Sequence, residues 1–130
     1  MTQANDKLIG PVPASIVNSA RLSVTPYEGR VGEFNVAVWL HLPGLANLPV
    51  SLMVRYRDGN QVREVAVDHG KVNGHSKVML SGVARLPMKV RIEDMQVRLR
   101  SAVPAQTLIV EELFVQAVEM LDSASRQAMA

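Results

Sequence analysis

From Glu33 to Leu42 the chain reads EFNVAVWLHL, and Phe34, Val36, Val38 and Leu40 recur at every second position. Side chains of an extended strand point alternately to opposite faces, so this period sets all four on one side of a sheet. Ala37 and Trp39 make the other parity apolar too. The expectation is a central strand covered on both faces.

The same alternation recurs between closely spaced turn signals. Ser15 to Val24 carries Ile16, Ala20, Leu22 and Val24 on one parity. In LMVRYRDGNQVREVAV, Leu52, Val54 and Tyr56 share one face, and Met53, Arg55 and Arg57 share the other. Asp58-Gly59 suits a tight turn, because glycine accepts positive φ. A loop of two residues (Asp58, Gly59) or four (Asp58 to Gln61) keeps Leu52, Val54, Val65 and Val67 on one core face. The four-residue loop sets Arg55 directly opposite Glu64. Further strands are expected at Ser76 to Leu86 and Met88 to Arg100. In the second of these the apolar parity switches at Glu93-Asp94, which a β-bulge would absorb.

The last segment, LIVEELFVQAVEMLDSASRQAMA, fits either a helix or a strand. A strand from Thr107 to about Gln116 is preferred, because a seven-stranded sandwich needs it. The tail from 118 to 130 then reads as a short helix or a frayed end. Residues up to Pro13, broken by Gly10, Pro11 and Pro13, read as a loosely ordered lead-in. The fold expected is an all-β antiparallel β-sandwich of about seven strands, loosely immunoglobulin-like in architecture, occupying 1–130 as a single domain. The Cys-Trp-Cys signature of true immunoglobulin domains is not available to a chain with no cysteine.

The absence of cysteine also excludes disulfides, thiolate metal sites and thiol nucleophiles. No stretch approaches the roughly 20 apolar residues of a membrane helix. The N-terminus lacks a signal-peptide pattern. A cytoplasmic location without membrane association is expected, and the richness in Ala, Val and Arg points to a bacterial source. The formal net charge of +2 is too small to imply nucleic-acid binding. Charge is unevenly spread: Arg55 to Arg100 is basic, and Ser101 to the end is acidic.

Three histidines and Asp68 could be drawn into a metal or enzymatic reading. His69 and His75 are close in sequence, and His41 ends a strand, but their spacing fits no ligand motif. No nucleophile elbow or phosphate loop is present. Glu93-Asp94 and Glu111-Glu112 are neighbours in sequence and point to opposite sides of a strand. No catalytic residue, metal ligand or cofactor is therefore assigned.

The pattern with most functional content is a set of basic pairs at i, i+2: Arg55/Arg57, Lys89/Arg91 and Arg98/Arg100. Each would lie on one strand face opposite apolar residues. Met53, Val62 and Ala66 would share the hairpin's outer face, and Met beside Arg is a protein-interface composition. Phe34, Tyr56 and Phe114 read as core, and Trp39 as covered, which leaves few rings for stacking bases or sugars. The function this supports is a non-enzymatic protein-interaction or assembly module of the cytoplasm, binding another protein or itself as a homodimer. One alternative is a polyanion-binding module using the paired arginines. Another is a small-ligand or metal-dependent enzyme at the sandwich rim.

Overall fold

The computed structural model describes residues 5–20, 22–26, 29–104 and 107–118. Among these residues it is an antiparallel β-sandwich of eight strands and one single-turn helix. The strands are β1 (Asn5–Pro11), β2 (Ser23–Thr25), β3 (Gly29–His41), β4 (Pro49–Asp58), β5 (Gln61–Lys71), β6 (Lys77–Met88), β7 (Ile92–Ser101) and β8 (Ile109–Ala117); the helix α1 is Ala14–Val17. One sheet, called sheet A here, has the order β1-β7-β4-β5. Sheet B has β3 in its middle, β6 on one flank, and β2 and β8 sharing the other flank.

The core is the apolar parity of each strand. Phe34, Val36, Val38 and Leu40 of β3 meet Leu52, Val54 and Tyr56 of β4, with Leu80, Ala84 and Leu86 of β6 and Met95, Val97 and Leu99 of β7. Fully burying one such large side chain contributes about 2 kcal/mol, which is why strict alternation can dictate this arrangement. At one side of the sandwich the sheets close on each other. Asp68 of β5 accepts the backbone N–H of Ser81 of β6 at 2.9 Å. A Cβ on Gly82 would stand 2.8 Å from the Val67 carbonyl oxygen, so only glycine permits this approach.

The β4–β5 hairpin has the expected faces. Arg55 lies opposite Glu64, the register of the four-residue loop, but Asp58 pairs with Gln61 and leaves Gly59-Asn60 as the turn. Gly59 has φ +62°, as the first residue of a II′ hairpin turn requires. The expected bulge in β7 is also present. Asp94 has φ +49°, and Asp94 and Met95 separate the partners of Arg55 and Arg57 on β7, so Ile92 and Met95 both reach the core.

Other elements differ from expectation. Residues 5–11 are strand β1, not a loose lead-in; Ile9 and Val12 are buried against the core. Ser15 to Val24 is not one strand but α1 followed by the three-residue β2, and Val17 is buried. β6 runs on through Pro87 to Met88, so the break falls at 89–91. The C-terminal strand is present as β8, and the expected helix after it lies outside the described residues. β3 is central, but among the described residues nothing covers the parity that carries Ala37 and Trp39.

Candidate functional site: two outer sheet faces

Arg55 and Arg57 of β4 and Arg98 and Arg100 of β7 lie together on the outer face of sheet A, since Met53 pairs with Arg98 and Ser51 with Arg100. They do not form a bare cationic stripe. Arg100 donates to Asp6 (Nε to Oδ1, 2.9 Å) and to Glu64 (2.5 Å). Arg55 reaches the same two carboxylates at 3.0 and 3.2 Å. Two arginines and two acids thus close a ring across β1, β7, β4 and β5. The Arg100 hydrogen bond, opposed by burial and helped by the nearby arginine charges, holds the Asp6 carboxyl below its ordinary value. The hydrogen bonds that Arg100 donates to Asp6 and Glu64 raise its pKa.

The remaining members of the basic set are also engaged. Arg57 binds Glu93 at 2.8 Å and Asp94 at 2.7 Å. Arg98 donates to Gln96 at 2.9 Å. Lys89 and Arg91 are not on a strand face. They sit in the β6–β7 connection, where their backbone N–H groups bind the buried Asp58 carboxylate, and Arg91 reaches Glu93 at 2.5 Å. Met53 is nearly covered, at 8% exposure, while Val62 and Ala66 remain open on β5.

The histidines do not converge. His41 ends β3 opposite Lys77, His69 holds the Ser51 hydroxyl through Nδ1 at 2.8 Å, and the His75 N–H binds Asn73 in a loop. Among the described residues no cluster of three or more His, Asp or Glu could hold a metal ion. A hollow of about 500 Å³ lies where α1 meets β7 and is bordered by Val12, Val17, Arg57, Arg91, Glu93 and Asp94. Its charges already pair with one another, so it offers a ligand little that is unsatisfied.

The outer face of sheet B is different in kind. Register places side chains in rows across β8, β3 and β6: Gln116–Asn35–Val83, Phe114–Ala37–Ser81, Glu112–Trp39–Met79 and Ile109–His41–Lys77. Trp39 is 40% exposed and Phe114 46%, and Met79, Val83 and Ile109 are exposed with them. The two rings stand in successive same-face rows, about 7 Å apart along the strands. Ala37 between them keeps the floor low. A shallow depression of about 260 Å³ adjoins Phe114, bordered by Asn35, Ser81 and Val83. Glu111 is held by Lys77 at 3.2 Å.

Reading Trp39 and Phe114 as buried was therefore incorrect. The signal lay in their company: Trp39 shares its parity with Glu33, Asn35 and His41, and Phe114 with Glu112 and Gln116. A row that mixes rings with polar groups belongs to a face in contact with water.

No protein-family model matches the chain, and no curated protein matches it. Among solved structures, the fold is similar to the CBM22-1–GH10 modules of endo-1,4-β-D-xylanase 10B of Clostridium thermocellum, complexed with xylohexaose. The matching part is a carbohydrate-binding β-sandwich module. The match has a TM-score of 0.53 and 12% identity, and covers 67% of this chain and 17% of that one. At that identity the likeness is one of fold, confined to a small part of the xylanase chain.

Proposed function

We propose that this protein is a non-enzymatic binding module, and that it holds a short stretch of an oligosaccharide against Trp39 and Phe114 on the outer face of sheet B. The observation that carries the reading is the pair of exposed rings in adjacent rows. An aromatic face left in water is covered favourably by the C–H face of a pyranose. Asn35, Ser81, Glu112 and Gln116 around the rings supply donors and acceptors for hydroxyls. Half-covering a ring of 150–250 Å² contributes about 2 kcal/mol, so affinities on the order of 10 μM to 1 mM fit a flat, open site. The similarity to a module complexed with xylohexaose supports the reading at the level of architecture.

Trp39 is the chain's one tryptophan, so its fluorescence reports directly on this face. Titration with xylohexaose, cellohexaose and a panel of other hexasaccharides is expected to shift or quench the emission. Isothermal titration should give the same affinity and lose it in folded Trp39→Ala and Phe114→Ala. A panel without response would overturn the oligosaccharide reading.

A second reading keeps the same face but gives it a protein ligand. Met79, Val83 and Ile109 are exposed beside the rings, and a continuous apolar face of this sort marks protein contacts as well as ligand grooves. The chain would then be a single-domain interaction or assembly module of the bacterial cytoplasm, binding another protein or a second copy. No helix among the described residues is long and apolar enough to cross a membrane. Polyanion binding through the arginines draws less support, because a phosphate would have to displace carboxylates already in place.

A further inference from the structure

The rings on the sheet B face do not stand in neutral surroundings, and a β-bulge is the cause. Trp39 of β3 pairs with Glu112 and Leu40 pairs with Val110, so Glu111 is an extra residue of β8 with no partner across the ladder. A bulge of this kind re-aims the side chains beside it. Regular alternation would send Glu111 and Glu112 to opposite sides of the strand, and that expectation fails here. The Glu111 carboxylate meets Lys77 of β6 at 3.2 Å, although β3 lies between β6 and β8. The inward side chains there, Leu40 and Val78, are buried, whereas Lys77 and Glu111 are exposed, so the pair crosses β3 on the outer face. Both carboxylates therefore belong to the face that carries Trp39.

The two are not equivalent. Lys77 neutralises Glu111. Glu33, farther along β3, has Arg85 at 3.5 Å. Glu112 is exposed and lies directly opposite Trp39, and among the described residues no ion pair or hydrogen bond engages its carboxylate. Directly opposed residues on one sheet face have Cβ atoms about 5 Å apart, so this charge stands at the edge of the indole ring. The negative face of an aromatic ring and a neighbouring carboxylate both attract a cation. The same charge repels a carboxylate or sulfate brought to the ring.

We infer that the oligosaccharide held on this face carries protonated amino groups, as a chain of glucosamine units does, and that Glu112 sets this preference. The inference rests on the oligosaccharide reading and narrows it. A pyranose stacked on Trp39 holds its substituents at the rim of the indole, where an ammonium group comes within reach of Glu112. The contact is open to water, so each attraction is modest. A cation–π contact and a surface ion pair together favour an ammonium over a hydroxyl by about tenfold.

The test compares three β-linked hexamers that differ in one substituent per sugar: cellohexaose with a hydroxyl, the glucosamine hexamer with an ammonium, and the N-acetylglucosamine hexamer with a neutral acetamide. Titrations followed by Trp39 emission and by calorimetry, at a slightly acid pH that keeps the sugar amines charged, should place the glucosamine hexamer about tenfold ahead of the other two. The margin should shrink in high salt. Glu112→Gln keeps the size of the side chain and should reduce the margin to about twofold. Trp39→Ala, its fold checked by circular dichroism, should abolish binding of the glucosamine hexamer in the calorimeter. If no hexamer binds, the oligosaccharide reading fails and this inference with it. If cellohexaose binds as tightly as the glucosamine hexamer, or the margin survives Glu112→Gln, the oligosaccharide reading stands and the inference fails. Binding that survives Trp39→Ala would be ionic adhesion away from the rings, and pentalysine binding as tightly as the glucosamine hexamer would assign the cation to a protein. Either result overturns the inference as well.

Discussion

The carboxylate of Asp58, at the end of β4, accepts the backbone N–H of Val90 through Oδ1 at 2.8 Å, tying the β4–β5 turn to the β6–β7 connection. Lys89 donates to Oδ2 at 2.8 Å and Arg91 to Oδ1 at 3.2 Å. Arg63 Nε lies 3.1 Å from Oδ2, within ion-pair distance although not aligned as a hydrogen bond. Asp58 is only 4% exposed, so those N–H groups have no water to fall back on. Asp58→Ala should therefore cost about 3 kcal/mol, measured by urea denaturation at neutral pH.

The same group gives the acid limb of stability a sign. Burial pushes the Asp58 carboxyl up, but the three N–H donors and Arg63 outweigh it, and its pKa ends below the ordinary 3.8. A depressed pKa contributes stability that is fully present above the unfolded value and is lost as pH falls through the folded one. The gap between wild type and Asp58→Ala should thus be constant above about pH 5 and narrow below pH 4. A gap that stays constant down to pH 2 would show that the charge of Asp58 is not what the turn uses.

Tyr56 is buried in the core and donates its hydroxyl to the Pro87 carbonyl at 2.6 Å. Burial, with the Asp58 charge nearby and Arg63 opposing, pushes the phenol up to about 12. A raised pKa contributes stability that is present below the unfolded value of 10.0 and disappears as pH climbs through 12. Absorbance titration of Tyr56→Phe should lack the late-ionising phenol that the wild type shows. The substitution should also cost about 1 kcal/mol, because the Pro87 carbonyl loses its donor.

The ring of Asp6, Arg100, Glu64 and Arg55 is partly open to water, with its side chains 18–35% exposed, so it holds strands together modestly. A double-mutant cycle between Asp6→Ala and Arg100→Ala should give a coupling of about 1 kcal/mol, shrinking in high salt. Arg55→Glu sets a third carboxylate between Asp6 and Glu64 and should destabilise more than Arg55→Ala does. Equal effects would mean the ring contributes no net electrostatics.

How much of this was legible beforehand depends on whether a feature is local. The alternations around Val36, Val54 and Val97 each carry their own face, and the switch at Glu93-Asp94 carries its own bulge. The faces of the β4–β5 hairpin followed from parity alone. The identity of what covers a face is not local. Glu64 could be placed opposite Arg55 from the hairpin, but Asp6, the other carboxylate shared by Arg55 and Arg100, comes from β1, 49 and 94 positions away in sequence, and Gly10, Pro11 and Pro13 made that segment read as loose. Trp39 could be placed on a parity, but whether a layer lies over that parity depends on where the rest of the chain goes. α1 failed for a related reason: Ser15 to Val24 alternates acceptably, and only docking of Val17 on the core favours the helical turn there.

The exposed face of sheet B yields the sharpest contrast between stability and binding. Trp39 is 40% exposed, whereas Leu40 beside it is fully buried. Leu40→Ala should cost about 3 kcal/mol by opening a cavity in the core. Trp39→Ala should cost clearly less than Leu40→Ala, since part of the Trp39 ring already meets water and its removal opens no enclosed cavity. Before any ligand is added, the Trp39 emission should already be red-shifted and accessible to acrylamide. A blue-shifted, unquenchable tryptophan would mean that the face is covered in solution, and that the rings are core rather than contact surface.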